Sequence, residues 1–148
     1  MLQIFSKTYN ELKKEELYQI LQLRSEVFVV EQDCVYQDID FKDQKAIHIL
    51  GYKQEKLVAY TRIFKKGEYF ENASIGRVVV VKKERIKSYG HLIFKASIKA
   101  VNKFFNEEEI KISAQKYLKN FYESHNFKQI GEEYLEDNIP HITMINFK

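Results

Sequence analysis

Lys82, Lys83, Arg85 and Lys87 crowd one short stretch, and Ser88, Tyr89, Gly90 and His91 follow directly. The stretch lies between a β-branched run, Ile75 to Val81, and a helical run from His91 to about Phe105. It therefore falls at a helix N-terminus, where backbone N–H groups lack intrahelical acceptors and the helix dipole is positive. Gly90 allows close approach of the backbone to a ligand, while Arg85 and Lys87 add charge. Two readings fit these residues: a phosphate or pyrophosphate site, or a solvated basic loop. A second candidate is Tyr122, in the repeat Leu118, Phe121, Tyr122, His125 at i, i+3, i+4 and i+7. By position alone Tyr122 reads as a core tyrosine. Cys34 is the only cysteine, so no internal disulfide forms, a reducing compartment is expected, and the thiol reads as packed or incidental.

The elements that position these residues follow from hydrophobic spacing. Gln3 to Lys7 reads as a short strand. Asn10 is placed to cap a helix that carries Glu11, Glu15 and Glu16 near its positive end and runs to about Val29 through Leu17, Ile20, Leu21, Val27 and Phe28. Arg24 shares that apolar face and needs a carboxylate or carbonyl partner, for which Asp40 and Asp43 are candidates. Ala46 to Tyr52 and Lys56 to Phe64 form an antiparallel hairpin. Ile75 to Val81 reads as a strand buried on both faces. The following helix turns Phe94, Ile98, Val101 and Phe105 to one side. Ile110 to Ala114 is a buried strand, and Lys128 to Leu135 and His141 to Phe147 are two last strands joined by a turn at Glu136, Asp137, Asn138 and Pro140. The order β-α-β-β-β-α-β-α-β-β predicts an α+β fold, a mixed sheet covered by helices.

Length and composition set the bounds. The chain has 148 residues, the size of one domain with one core. Its apolar content is 45% and its charged content 30%, with one Pro, so nothing reads as a linker. No apolar run is long enough for a bilayer, the N-terminus lacks the pattern of a signal peptide, and a cytoplasmic protein is expected. A net charge of +3 is a modest excess and does not by itself indicate a nucleic-acid partner.

Val78-Val79-Val80-Val81 followed by Arg85-Ile86-Lys87-Ser88-Tyr89-Gly90 resembles the acetyl-CoA signature of the GNAT acetyltransferases, R/Q-x-x-G-x-G/A after a strand. Phe121 to Phe127 resembles that family's Y-x-x-x-G-F segment. Leu23 to Gln32, Ile75 to Val78, Ser113-Ala114-Gln115 and Glu136 to Met144 are similar to an ElaA-type branch of it. Ser88 and Asn126 stand where those patterns have Gly. The resemblance implies a GNAT-like fold with a mostly antiparallel sheet and transfer of the acetyl group of acetyl-CoA to an amine, with no metal. It implies that Val78, Val79 and Val80 pair with the pantetheine arm, with a backbone N–H near Val79 or Val80 on the thioester oxygen. Lys87, Ser88, Tyr89, Gly90 and His91 would cradle the pyrophosphate beside Arg85, and Gln115 would reach the pantetheine amides. Tyr122 would protonate the departing thiolate.

A base for the amine has three candidates, Glu31, His48 and Glu136. His48, in an alternating strand, reads more readily as a structural histidine than as a base, and His141 after Pro140 reads as structural. Arg24, Asp40, Asp43, Arg62 and Arg77 read as structural ion pairs. The acidic loop Glu31 to Asp43 points to a small-molecule or peptide amine acceptor of cationic character. A non-catalytic acyl-CoA-binding module is the alternative to an enzyme. The edge of the final hairpin is available for a homodimer.

Overall fold

The computed structural model describes residues 1–147. Seven strands form one sheet in the order β1-β2-β3-β4-β5-β7-β6. They are β1 (Leu2–Thr8), β2 (Ile47–Lys53), β3 (Lys56–Phe64), β4 (Ala73–Val80), β5 (Ile110–Gln115), β6 (Phe127–Glu136) and β7 (Ile139–Asn146). All neighbours are antiparallel except β4 and β5. Helix α1 (Lys14–Arg24) covers one face; α2 (Tyr89–Phe105) and the single turn α3 (Lys119–Glu123) cover the other.

The continuous apolar runs of β2 and β3 follow from this layering. Leu50, Leu57, Tyr60 and Val79 meet Ile20, Leu23 and Val27 on the α1 side. Ile49, Val58, Ile63 and Val80 meet Ile93, Phe94 and Val101 on the α2 side. Phe94 is fully buried and packs against the rings of Phe121, Tyr122, His125 and Phe127, which ties α3 and β6 to α2. Truncating such a residue costs about 3–5 kcal/mol.

The first helix differs from its expected form at both ends. Thr8, not Asn10, caps a 3₁₀ turn at Tyr9–Glu11, in a reciprocal pair with Glu11. The α-helix starts only at Lys14, where Glu16 accepts the Lys13 N–H at 2.8 Å. Regular α geometry stops at Arg24, and Ser25–Glu31 widens into a π-helix. Its looser turn ends with the Gln32 N–H on the Val27 carbonyl and the Cys34 N–H on that of Val29. Val30, on the uncovered side, is exposed.

Two further departures shape the centre of the sheet. Thr61 of β3 faces both Arg77 and Val78 of β4, a β-bulge, and Arg77 there takes a left-handed φ of +50°. Strands β4 and β5 pair only at Ala73–Ile110 and Ser74–Lys111, then diverge. Gly76, Arg77 and Val78 are thus half-exposed, not buried on both faces as a continuous apolar strand would be. At the far edge, the β6–β7 turn is only Asp137 and Asn138, both at left-handed φ (+51° and +64°). Pro140 lies in β7, not in that turn.

Candidate active site

The divergence of β4 and β5 opens a cleft of about 670 Å³. The β4 edge from Gly76 to Val80 forms one wall, and Ile112, Ser113 and Gln115 of β5 form the other. Backbone groups on the β5-facing edge of β4 have no strand partner beyond Ser74. Apart from the Val80 carbonyl, which accepts from Arg85 Nε, they are free to bond a ligand.

One end of the cleft is the start of α2. Ser88 holds a left-handed conformation, φ +61° and ψ +22°, so serine takes the geometry for which glycine is usual. No side chain caps the helix, leaving its first-turn N–H groups for an anion, and Ser88, Gly90 and His91 line the cleft. A Cβ on Gly90 would stand 3.4 Å from the Phe121 ring, at the floor of this cradle. Lys87 turns away to Glu84 at 3.2 Å, and Tyr89 is buried in the core, so neither side chain reaches the cleft.

Two bridges cross the cleft from the end of the π-helix. Glu31 accepts both terminal nitrogens of Arg85 at 2.6 and 2.9 Å, and Arg85 Nε donates to the Val80 carbonyl. Arg85 holds the Glu31 carboxyl below the usual carboxylate range, which makes Glu31 a poor base. The side-chain amides of Gln32 and Gln115 face each other, each donating at 3.2 Å.

Tyr122 lines the cleft and is 5% exposed, and its hydroxyl has no protein partner among the described residues. Burial, reinforced by Tyr117, raises its ionisation well above that of a free phenol, so the group stays a proton donor. Glu136, Asp137, Ile139 and His141 of the final hairpin close the opposite end.

His48 is nowhere near this arrangement. It is fully buried under α1, donates from Nε2 to the Asp43 carbonyl and accepts the Tyr60 hydroxyl at Nδ1. Burial depresses its pKa further. As a candidate base it is set aside, because both ring nitrogens are occupied.

The acidic loop is also not what its composition implied. Arg24 binds Asp38 at 2.9 Å and Asp43 at 2.7 Å, while Arg62 binds Asp40 at 2.6 Å and Asp43 at 2.8 Å. Arg77 reaches Asp38 at 2.8 Å. Asp38, Asp40 and Asp43 therefore face arginines rather than a cationic acceptor. Asp38 as the second partner of Arg24 carried no signal in the sequence, since nothing in spacing ranks one loop aspartate above another. His141, Gln32 and Ser113 in the cleft were likewise missed as site residues; the only signal was their place at strand and helix ends.

Among the described residues, no three His, Cys, Asp or Glu side chains are grouped as metal ligands, and no helix is long and apolar enough to cross a membrane.

Known proteins match this fold and chain closely. A family described as "Acetyltransferase (GNAT) domain" matches residues 7–146. Protein ElaA of Escherichia coli is 42% identical over 138 residues, covering 92% of this chain and 90% of that protein. A UPF0039 protein of Schizosaccharomyces pombe is 39% identical over 145 residues, 97% of this chain and 95% of its own. The crystal structure of E. coli ElaA superimposes with a TM-score of 0.92 over 99% of this chain and all of that one. An acyl-CoA N-acyltransferase from Pseudomonas aeruginosa superimposes with 0.93 at 35% identity, over 99% of this chain and all of that one. With its splayed sheet and uncapped helix start, the chain belongs to the GNAT acetyltransferase family, whose members transfer acyl groups from acyl-CoA.

Proposed function

We propose that this protein transfers the acetyl group of acetyl-CoA directly to an amine. The observation that carries the reading is the convergence on one cleft of an unpaired β4 edge, an uncapped helix start and an unpartnered, protonated Tyr122. The first-turn N–H groups of α2 hold the diphosphate. The open edge at Val78, Val79 and Val80 receives the pantetheine amides, and an N–H from it carries the charge that develops on the thioester oxygen. Arg85 and Gln115 leave Glu31 and Gln32 and turn to the cosubstrate. Tyr122 gives its proton to the sulfur as the C–S bond breaks. An acyl-CoA-binding module without catalysis would have no use for a buried phenol whose hydroxyl is unmatched inside the cleft.

The experiment is a calorimetric titration with acetyl-CoA of the intact chain, of Arg85→Ala and of Gly90→Val, followed by an amine screen with Tyr122→Phe as control. Micromolar binding by the parent, weakened in both variants, supports the reading. An absence of binding at millimolar acetyl-CoA would sink it.

A further inference from the structure

The chain has four histidines, and the structure commits them very differently. Both nitrogens of His48 are occupied, and His91 and His125 share a contact of 2.9 Å between Nδ1 and Nε2. His141 is 7% exposed and lines the cleft. Its Nδ1 lies 2.7 Å from the Ile139 carbonyl oxygen. A carbonyl only accepts, so Nδ1 carries the hydrogen, and neutral His141 must present a bare lone pair at Nε2.

The surroundings hold that ring in place. Pro140 separates the accepting carbonyl from the donating ring and fixes the intervening φ. The Tyr134 ring stacks on His141 at 6.0 Å and 28°. The Tyr134 hydroxyl is tied to Ser113 on β5. Glu136 Oε2 lies 3.5 Å from Nε2, and its side chain is 46% exposed, on the way to solvent. Glu136 and Tyr134 are the titratable groups against this imidazole.

Resting on the acetyl-transfer reading above, we propose that His141 is the general base that deprotonates the acceptor amine, with Glu136 as the positioning residue that steadies the resulting imidazolium. Nε2 takes a proton from the ammonium group; the electron pair of that N–H bond stays on nitrogen, which attacks the thioester carbon. The C–N bond forms and the C–S bond breaks. Of the ammonium's three protons, one passes through His141 and past Glu136 to solvent. A second restores the proton that Tyr122 gives to the CoA sulfur, and the third stays on the amide. An imidazole, with a reference pKa of about 6.5, is a better match for an amine of about 10 than is a carboxylate of about 4.3.

The test uses the full chain with ¹⁵N-labelled histidine. Ring nitrogen shifts are read in the neutral state, the His141 signals being identified by their loss in His141→Asn. A hydrogen on Nδ1 and a bare Nε2 are expected; a hydrogen on Nε2 overturns the assignment. The Asn variant retains a donor toward Ile139 but has no base at the Nε2 position. With acetyl-CoA and a mixture of spermidine, glucosamine and lysinamide at pH 7, its CoA release should fall by about 10²-fold or more. That deficit should shrink as pH rises and the amines deprotonate unaided, with acetyl-CoA binding unchanged. A deficit equal at every pH marks a merely structural residue and overturns the proposal, as does turnover at the wild-type rate. Failure of the unaltered protein to bind acetyl-CoA would instead overturn the transfer reading, whatever the tautomer shows.

Discussion

Two regions on either side of β4 hold much the same residue types and use them in opposite ways. Beneath the loop from Asp38 to Asp43, three arginines and three aspartates are locked to one another, and His48 has both nitrogens bound. In the cleft between β4 and β5, among the described residues, the Tyr122 hydroxyl has no hydrogen-bond partner, the first turn of α2 has no side-chain cap, and Nε2 of His141 makes no hydrogen bond. The first region uses its polar capacity to hold a loop of irregular backbone against the sheet. The second leaves capacity unmatched, in a place open to ligand. Residue type alone does not separate structure from chemistry; what does is whether an unmet hydrogen bond opens on a cleft, since the first region also holds one, at the buried Arg62 Nε, but away from the cleft.

The sharpest break of the locked region is Asp43→Ala, which takes a buried charge-assisted bond from Arg24 and another from Arg62, leaving each with one aspartate. A loss of about 3–5 kcal/mol in stability is expected by chemical denaturation. A loss under 1 kcal/mol would mean that the lattice is not holding the loop. The matching change in the cleft, Tyr122→Phe, removes a hydroxyl that bonds nothing in the protein. Its stability should hold, while turnover drops by about 10²-fold. A large fall in the melting temperature would place Tyr122 with the locked region.

Acid should also separate the two. Burial alone would raise the Asp40 pKa, but Arg62 outweighs it and lowers the value to about 2. A carboxyl depressed on folding contributes stability at pH values above its unfolded pKa, about 3.9, and that contribution disappears as pH falls through the folded value. Allowing for solvent screening, about 1 kcal/mol should be lost between pH 5 and pH 2, and Asp40→Asn should flatten that part of the curve. A variant curve as steep as the parent's would assign the acid sensitivity to other groups. The smallest effect is at Glu31→Gln, which frees Arg85 from a partly exposed pair. Acetyl-CoA affinity measured by calorimetry should rise by about two- to fivefold, the range of such a surface ion pair. Weaker binding would show that Glu31 assists the ligand instead of competing with it.

Much of this arrangement was legible in the chain. A β-branched strand, a basic turn with Gly90 and an amphipathic helix place a basic helix start by periodicity, while its reading as an anion cradle rests on the family resemblance, and Asn126 and Ser88 take the left-handed conformations that the family pattern asks of glycine. The succession of strands along the chain and the antiparallel pairing of β2 with β3 follow from alternation. The π-helical end of the first helix did not, because Val27, Val29 and Val30 satisfy helical spacing whether the turn is tight or wide. The roles of Asp38 and His141 did not either. Both depend on contacts through space: one loop carboxylate reaching Arg24, and one carbonyl at a Pro-fixed distance choosing the tautomer of a ring.

The two-residue seam between β4 and β5 has a consequence for the sheet as a whole. Strands β1 to β4 and strands β5 to β7 are two panels joined by little main-chain bonding, and one apolar cluster that includes Ile93, Phe94 and Val101 of α2 spans both. Amide hydrogens along the open edge of β4 should exchange with solvent faster than those of β2 and β3, as marks of a locally weak joint. A cosubstrate lying in that joint would serve as the missing strand. By linkage, at a hundred times its Kd it would add about 2.7 kcal/mol to the stability of the folded chain, so the cellular supply of that ligand would help set how long the two panels stay together.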